Sequence, residues 1–186
     1  LWANALGKGG IIPIECKLFP SNTFLDLKLT GQQGDVMKES MNVAKTLAWQ
    51  LTNENRQQEL LKLFETTKAQ GIHIHCPEGA VPKDGPSAGT AITIAIFSTL
   101  NNQKIKYDLA ITGEMNLQGC VTAIGGLDLK IIGGIRAGVK TFLFPKENHD
   151  DFVKFHDKNK DKSILEGISF HEIETIEEAI QYSIVI

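Results

Sequence analysis

A chain of 186 residues, 42% apolar and 22% charged, is long enough for one domain with a real core and has the composition of an ordinary soluble globular protein. The formal net charge of -3 gives no electrostatic reason to expect a nucleic-acid partner. No stretch is long and apolar enough to span a bilayer, and the three separated cysteines (Cys16, Cys76 and Cys120) support neither a zinc knuckle nor a disulfide framework.

The first third of the chain predicts two strands followed by a helix. Residues 9–20 and 22–31 have strand character and are joined by a turn, which indicates an opening hairpin. Residues 34–52 change to helical spacing, and Asp35 fits there as an N-cap or a first-turn acid. The apolar stripe that predicts this helix consists of Met37, Met41, Ala44, Leu47, Ala48 and Leu51.

Strands and helices alternate over the rest of the chain. The predicted strands are residues 71–76, 107–113, 119–126, 140–145 and 167–173. The predicted helices are residues 87–100, 126–139, 148–156 and 175–184. The strand at 140–145 is almost continuously apolar, which is typical of a strand buried on both faces. The alternation indicates a layered α/β or α+β domain.

Residues 85–89 spell Gly-Pro-Ser-Ala-Gly, which matches the G-x-S-x-G nucleophile elbow of α/β-hydrolases. An elbow needs a strand that runs directly into the serine, whereas residues 77–86 contain three prolines and two glycines and predict a loop. A catalytic triad would also need an acid and a histidine downstream, and the candidates are His149, His156 and His171. An esterase of this type is therefore the weaker alternative.

Ser87 has a chemically useful position whether or not the chain is an α/β-hydrolase. A glycine-proline turn followed by a helix places its hydroxyl where backbone N–H groups are unpaired and the helix dipole is positive. Those N–H groups are the donors that an oxyanion hole requires. The alternative is an ordinary serine N-cap, which is the more frequent role of an isolated serine at a helix start.

Lys130 is the candidate base for this serine. Near the start of a predicted helix, it lies among the aliphatic residues Leu127, Leu129, Ile131, Ile132 and Ile135. Burial and the positive end of a helix dipole both disfavour the ammonium form, so we expect a lowered pKa for this lysine. A neutral lysine can take the proton of a serine hydroxyl. The alternative is a lysine that extends along the apolar surface to solvent.

Four segments together resemble the proteolytic domain of A-type Lon proteases. They read "HIHCPEGAVPKDGPSAGTAI", "ITGEMNLQGCVTAIGGLDLK", "AGVKTFLFPKEN" and "LTGQQGDVMKES", and the resemblance covers nearly the whole chain. It implies a single Lon proteolytic domain over residues 1–186, an α/β (α+β) fold of layered sheets and helices like domain 2 of ribosomal protein S5. It also implies a serine endopeptidase of the Lon (endopeptidase La) type whose Ser-Lys dyad is Ser87 and Lys130.

The same resemblance implies supporting residues around the dyad. Thr112 would hydrogen-bond to the lysine amine and orient it. Glu114 and Asp84 would shape the site, and Asp84 is associated in some such domains with an inactive arrangement. Gly85 and Pro86 would place the Ser87 hydroxyl and the backbone donors of the oxyanion hole.

A metal site is a further possibility that the sequence raises and does not support. His73 and His75 lie on one face of a predicted strand, next to Cys76, but no third ligand lies at useful spacing. The family that the chain resembles carries histidines here without a metal. We therefore expect no metal, and we interpret His75 as a structural residue or one that flanks the site.

The resemblance carries expectations about the whole protein as well. The chain begins at Leu1 and contains no G-x-x-x-x-G-K-[ST] motif, so we expect a piece of a longer protein whose ATPase and N-terminal domains lie elsewhere. ATP and Mg would act in that ATPase module, and this domain would hold no cofactor. The resemblance implies unfolded-protein or peptide substrates and a homo-hexamer, with no membrane and no required nucleic acid. The expected location is cytoplasmic, or the mitochondrial matrix for a eukaryote and the host cell or virion for a virus.

A third hypothesis is a non-catalytic domain in which the same layered scaffold serves only assembly or binding. The sequence distinguishes it from a peptidase only through the dyad and its surroundings.

Overall fold

The structure is a computed structural model that describes residues 1–68, 70–77 and 84–185. Its strands are β1 (Trp2–Ala3), β2 (Gly9–Gly10), β3 (Glu15–Phe19), β4 (Leu27–Thr30), β5 (Gly71–His75), β6 (Leu109–Ile111), β7 (Glu114–Met115), β8 (Val121–Thr122), β9 (Thr141–Pro145) and β10 (Ser169–Ile173). Its α-helices are α1 (Asp35–Leu51), α2 (Glu54–Thr67), α3 (Gly89–Leu100), α4 (Leu127–Arg136), α5 (His149–Asn159) and α6 (Ile176–Ser183). This mixture of helices with several small sheets confirms the predicted α/β (α+β) class.

The first three-stranded sheet has the order β3-β5-β4, with β3 antiparallel and β4 parallel to β5. The predicted opening hairpin is therefore wrong, because β5 lies between its two strands. The connection between them also bonds to the segment before β5: Ser21 N donates to Lys68 O, and Leu25 N donates to Gln70 O. Ile72 and Ile74 of the central strand are fully buried.

The second three-stranded sheet has the order β10-β9-β6, and all of its strands are parallel. Leu143 of β9 faces the cluster that contains Ile94 of α3, while Phe142 and Phe144 face the cluster that contains Phe155 of α5. The predicted burial of this strand on both faces is confirmed. A strand in this position can fix groups on both sides of the sheet. Two residues depend on its position: Thr112, whose N–H donates to Leu143 O, and Asn148, which follows the strand by three residues.

Helix α3 lies between the two sheets. Ile92 and Ile96 pack with the β3-β5-β4 sheet and α1, whereas Ile94 packs towards β9 and α6. A helix that is apolar on all sides is buried on all sides, so the predicted helix is confirmed, although it begins at Gly89. It is 12 residues long, and no helix in the described ranges is long and apolar enough to cross a membrane.

Helix α1 buries the stripe that its spacing predicts except for Leu51, which is half-buried; Gly34 is the N-cap and Asp35 lies in the first turn. Helix α2 has no counterpart among the predicted elements. Its start is capped by Asn53, whose side chain accepts from Arg56 N at 2.9 Å, and it ends at Lys68 in the left-handed conformation. Only Leu60 of this helix is fully buried, so the apolar periodicity that predicts a helix is weak here.

The other predicted elements occur with shifted ends. The strands predicted at residues 107–113 and 119–126 are shorter in the structure, where they correspond to β6 and β8. Strand β8 forms a two-stranded ribbon with β7, in which Glu114 pairs with Thr122. The last predicted helices become α5 and α6. Most of the loop predicted for residues 77–86 lies outside the described residues.

Helix α4 and the β1-β2 ribbon approach each other at backbone contact. A Cβ at Gly9 would lie 2.0 Å from Leu129 O, and one at Gly133 would lie 2.1 Å from the carbonyl carbon of Gly9. Side chains larger than hydrogen have no room at either position. The close approach fixes the height and rotation of α4, and with them the direction of Lys130 on that helix.

We expect Gly133→Ala to destabilise the fold by about 1–3 kcal/mol, because its Cβ would overlap backbone atoms that cannot move aside cheaply. Gly125→Ala is the matched control, since a Cβ there meets nothing within 4 Å. Urea denaturation of both variants measures the difference. Equal stability of the two would contradict the proposed backbone contact.

Candidate active site

Ser87 lies in the turn that leads into α3, one residue before the N-cap. The N-cap is Ala88, and no side chain caps this helix start. The Ser87 hydroxyl therefore has no capping role, although its main chain is held firmly: its carbonyl oxygen accepts from Gly113 N at 2.8 Å. Within the described part of the chain, no hydrogen bond occupies the hydroxyl, and the residue is half-buried. The alternative of an ordinary serine cap does not apply.

Lys130, in the second turn of α4, turns its side chain into the interior. Only 4% of the residue is exposed, and its Nζ donates a hydrogen bond to Thr112 Oγ1 at 3.2 Å. Burial lowers the pKa of this amine from 10.5 to about 8.

Thr112 connects the serine turn with the lysine. It follows β6, is fully buried, and its N–H donates to Leu143 O of β9 at 3.0 Å. Its Oγ1 accepts from Lys130 and lies 3.5 Å from Ser87 O, the long limit of a hydrogen bond. The three residues that the sequence predicts as dyad and orienting group thus come together from three separate elements. Their catalytic roles stay a prediction.

Two glycines allow the serine turn to approach Thr112 this closely. A Cβ at Gly113 would lie 2.5 Å from a methyl group of Val121 and 2.7 Å from Thr90 Oγ1. A Cβ at Gly89 would lie 3.1 Å from the Cβ of Met115. The first turn of α3 is bonded across this contact, because Thr90 donates to Gly113 O through both its N–H and its hydroxyl.

Few backbone donors remain in the turn before Ser87. Gly85 has φ +133°, a conformation that favours glycine, and its N–H donates to Asp84 Oδ1 at 3.1 Å. Pro86 has no N–H to offer. The Ser87 N–H is the one backbone donor of residues 85–87 for which the described chain shows no acceptor. Of the predicted oxyanion donors, it is the group that can still bind a substrate oxygen.

Asp84 has a structural role that the sequence does not indicate. Its Oδ1 accepts from Met37 N at 3.0 Å, so its carboxylate caps the N-terminus of α1 from a distant part of the chain. Asp84 also lies close to Gly34: a Cβ added at Gly34 would be only 2.4 Å from Asp84 Cγ. No hydrogen bond or ion pair among the described residues links Asp84 to Lys130. The carboxylate holds the Ser87 turn against α1.

Glu114 and His75 do not join this cluster through any hydrogen bond or ion pair in the described ranges. Glu114 lies exposed in β7. His75 Nδ1 and His73 Nε2 lie 2.7 Å and 2.9 Å from the same hydroxyl, Thr30 Oγ1. Together with Glu15 and Lys17, these three side chains line an open cavity of about 330 Å³ on the solvent face of the β3-β5-β4 sheet. Whether Glu114 and His75 act in the site stays a prediction.

The histidines that a hydrolase triad would need are engaged elsewhere. His149 Nδ1 lies 2.6 Å from Glu172 Oε1, which raises its pKa through that hydrogen bond and the Glu172 charge. His156 packs on Phe152, and His171 stacks on Tyr182. In addition, residues 84–88 form a turn and no strand. Across the described ranges, no group of three or more His, Cys, Asp or Glu side chains could hold a metal ion.

Asn148 is a buried polar residue that sequence reasoning does not single out as part of the site. It is the last residue of the short 3-10 turn that follows β9, is 3% exposed, and bonds to the backbone of Ile124, in the loop before α4. The signal that could have found it is a polar amide three residues after the buried strand β9, where exposed polar residues are otherwise expected.

Comparisons with known proteins agree with one another. Residues 2–186 match the family model described as Lon protease (S16) C-terminal proteolytic domain. The chain is 38% identical over 95% of its length to a Lon protease of Fervidobacterium nodosum, 41% over 90% to one of Clostridium acetobutylicum, and 42% over 94% to one of Treponema pallidum. It spans 20%, 20% and 19% of those three proteins, about a fifth of the length of the curated relatives that it matches.

We expect Asp84→Ala to lower the free energy of unfolding by about 1 kcal/mol, because Met37 N then loses the carboxylate that caps α1. Asp35→Ala removes an acid of the same helix end whose side chain is fully exposed, and its effect should be clearly smaller. Thermal denaturation at pH 7 compares the two. A larger loss in Asp35→Ala would overturn the capping role of Asp84.

Proposed function

The chain belongs to the family of Lon protease C-terminal proteolytic domains, which are serine endopeptidases, and we propose that Ser87 and Lys130 are the residues that cleave the peptide bond in this member. The observation that carries the assignment is the buried Lys130 amine, bonded to Thr112 Oγ1 beside the turn that holds Ser87. An amine kept from water, linked through a threonine to the turn that carries a half-buried serine at a helix start, supports the assignment of a Ser-Lys peptidase.

The burial of Lys130 supports its role as the base. A lysine with its ordinary pKa of 10.5 is neutral in only about 0.03% of molecules at pH 7, whereas one with a pKa of about 8 is neutral in roughly a tenth of them. The neutral form must be populated before the amine can accept a proton. Thr112 keeps the amine in place by accepting one of its hydrogen bonds.

The proposed reaction has two halves. The Lys130 amine takes the proton of the Ser87 hydroxyl as Ser87 Oγ attacks the peptide carbonyl carbon, and Ser87 N–H donates to the oxygen that becomes negative. The Lys130 ammonium then gives its proton to the leaving amine, the C–N bond breaks and an acyl-serine remains. In the second half, Lys130 deprotonates a water that attacks the ester, and the proton returns to Ser87 Oγ. The Ser87 hydroxyl has to turn towards the amine first, since the described structure shows no bond between them.

The two other hypotheses lack comparable support. An esterase with a G-x-S-x-G elbow needs a histidine near Ser87, and His149, His156 and His171 contact other groups. A purely structural domain leaves unexplained why a lysine amine is buried beside Thr112 at the cost of its solvation.

For the whole protein, we propose ATP-dependent degradation of unfolded proteins or peptides by a homo-hexamer in the cytoplasm. Relatives about five times as long as this chain support an additional ATPase module, which would bind ATP and Mg. The three relatives compared are bacterial, which favours the cytoplasm over a mitochondrial matrix or a virion. Mass measurement of the complete gene product, with and without ATP and Mg, tests the assembly.

The dyad assignment makes a prediction about activity and pH. Ser87→Ala and Lys130→Ala should each lower kcat for peptide hydrolysis by at least ~10³-fold. Lys130→Arg should be equally inactive, because a guanidinium keeps the charge and cannot become neutral. In the unsubstituted protein, kcat/KM should rise with pH through about 8, where the Lys130 amine loses its proton.

The exposed Lys154→Ala serves as the control and should retain full activity. Near-normal turnover in Lys130→Ala would contradict the assignment. So would a kcat/KM that stays constant between about pH 6 and 9, the range around the Lys130 pKa of about 8.

Burial of Lys130 also predicts a conflict between stability and activity. The unfolded chain holds the Lys130 proton up to a pKa near 10.5 and the folded chain only to about 8, so stability should rise with pH between these values. Lys130→Met removes the buried charge and should be more stable than the unsubstituted protein at pH 7, by on the order of 1–2 kcal/mol, with the difference shrinking towards pH 10.

Urea denaturation at pH 7 and pH 10 measures this difference, with Lys154→Met as the exposed control. A stability gain that is the same at both pH values would show that the buried charge of Lys130 is not its cause.

A further inference from the structure

We infer that Asn148 is a positioning residue for the Lys130 amine: by clamping the backbone of Ile124 it fixes where α4 starts and so where its lysine points. The inference rests on the proposed role of Lys130 as the base. Within the described part of the chain, Asn148 makes no hydrogen bond to Ser87, Thr112 or Lys130, so it would act only through the loop.

The clamp consists of two hydrogen bonds to one residue. Ile124 N donates to Asn148 Oδ1 at 3.0 Å, and Asn148 Nδ2 donates to Ile124 O at 2.8 Å. The amide thus pairs with Ile124 as a neighbouring strand would. Because Asn148 is only 3% exposed, water competes little for either bond.

The orientation of the amide is fixed from its other side. Asn148 Nδ2 also donates to Asp151 Oδ2 at 3.0 Å, in the first turn of α5. A flipped amide would place its oxygen against this carboxylate and against Ile124 O, two acceptors that it could not satisfy. A second, exposed contact supports the loop: Ala123 N donates to Glu147 Oε2 at 2.8 Å.

From Ile124 the path to the lysine is short and stiff. Gly126, the N-cap of α4, has φ +68°, and its carbonyl accepts from Lys130 N at 3.0 Å in the first helical bond of that residue. Helix α4 also rests on Gly9 at Leu129 O, where there is no space for a side chain. Movement of α4 towards Gly9 therefore cannot absorb a shift at Ile124, and such a shift has to move the start of the helix.

The strand that carries Asn148 also holds the partner of the lysine. Leu143 O of β9 accepts from Thr112 N, and Asn148 follows the end of β9 by three residues. One strand thus positions both the acceptor, Thr112 Oγ1, and the loop that leads to the donor, Lys130 Nζ. This common origin keeps the two atoms at their 3.2 Å separation. A misplacement of about 1 Å in a catalytic group is enough to lower a rate by about 10²-fold.

The test measures kcat, KM and the pH profile of peptide hydrolysis in the complete gene product. Asn148→Ala should lower kcat by about 10- to 100-fold and leave KM within about twofold, because substrate contacts are untouched. The acid limb of the profile should also move to higher pH. Water that enters beside a loosened α4 returns the Lys130 pKa towards its ordinary value, so part of the lost activity should come back at alkaline pH.

Asn159→Ala is the matched control. Asn159 is a second buried asparagine, 7% exposed, with two side-chain hydrogen bonds: it donates to Phe155 O and accepts from Lys162 Nζ. Neither bond reaches the loop before α4. This variant should lose comparable stability and keep both kcat and the position of the acid limb.

Asn148→Gln is a second variant in case Asn148→Ala fails to fold. It keeps the C=O and NH2 of the side-chain amide and moves them outward by one methylene. It should show the same loss of kcat and the same shift of the acid limb. An unchanged kcat and pH profile in a folded Asn148 variant would overturn the inference, and so would equal effects in Asn159→Ala. If Lys130→Ala proves active, the proposed dyad itself fails; if Lys130→Ala is inactive and Asn148→Ala is normal, only the positioning role fails.

Discussion

The removal of one lysine amine from water is the constraint on which the rest of the site depends. An ammonium group in the interior is unfavourable unless it is bonded, and Lys130 has Thr112 Oγ1 as its hydrogen-bond partner. The same desolvation brings its pKa to about 8, close enough to neutrality for an amine to act as a base. Stability and activity therefore place opposite demands on this one side chain.

The fold meets this constraint by bringing three elements together at backbone distance. The serine turn bonds to the end of β6 through Ser87 O and Gly113 N, and α4 rests against the β1-β2 ribbon at Gly9. At both contacts glycine is required because a Cβ would overlap neighbouring atoms. Side chains at such contacts would separate the elements and open the lysine to water. The glycines at these contacts are therefore as important to the site as the reacting side chains.

Much of the fold follows from local patterns. Continuous apolar residues in β9 and an all-round apolar α3 predict their burial, since neither has a polar face to turn to water. The pairing of β3 and β4 could not be predicted in this way. Their order around β5 depends on bonds to residues 68 and 70, far along the chain, whereas a hairpin is inferred from neighbouring residues only. Helix α2 was not predicted because it has a single fully buried residue, Leu60, so its apolar residues show little helical periodicity.

For the site, the sequence by itself determined which residues could react: a serine behind a Gly-Pro turn, a lysine among aliphatic residues and a threonine after a strand, in the order of a recognisable family. Apart from the bond between Thr112 and the lysine amine, which the family resemblance implies, it did not determine what those residues contact. Only the tertiary structure decided that Asp84 caps α1, that Thr112 stands between Ser87 and Lys130, and that Asn148 clamps the loop before α4. The physical reason is that these contacts join residues from 18 to 47 positions apart. Chain folding sets such distances, and local residue patterns carry no information about them.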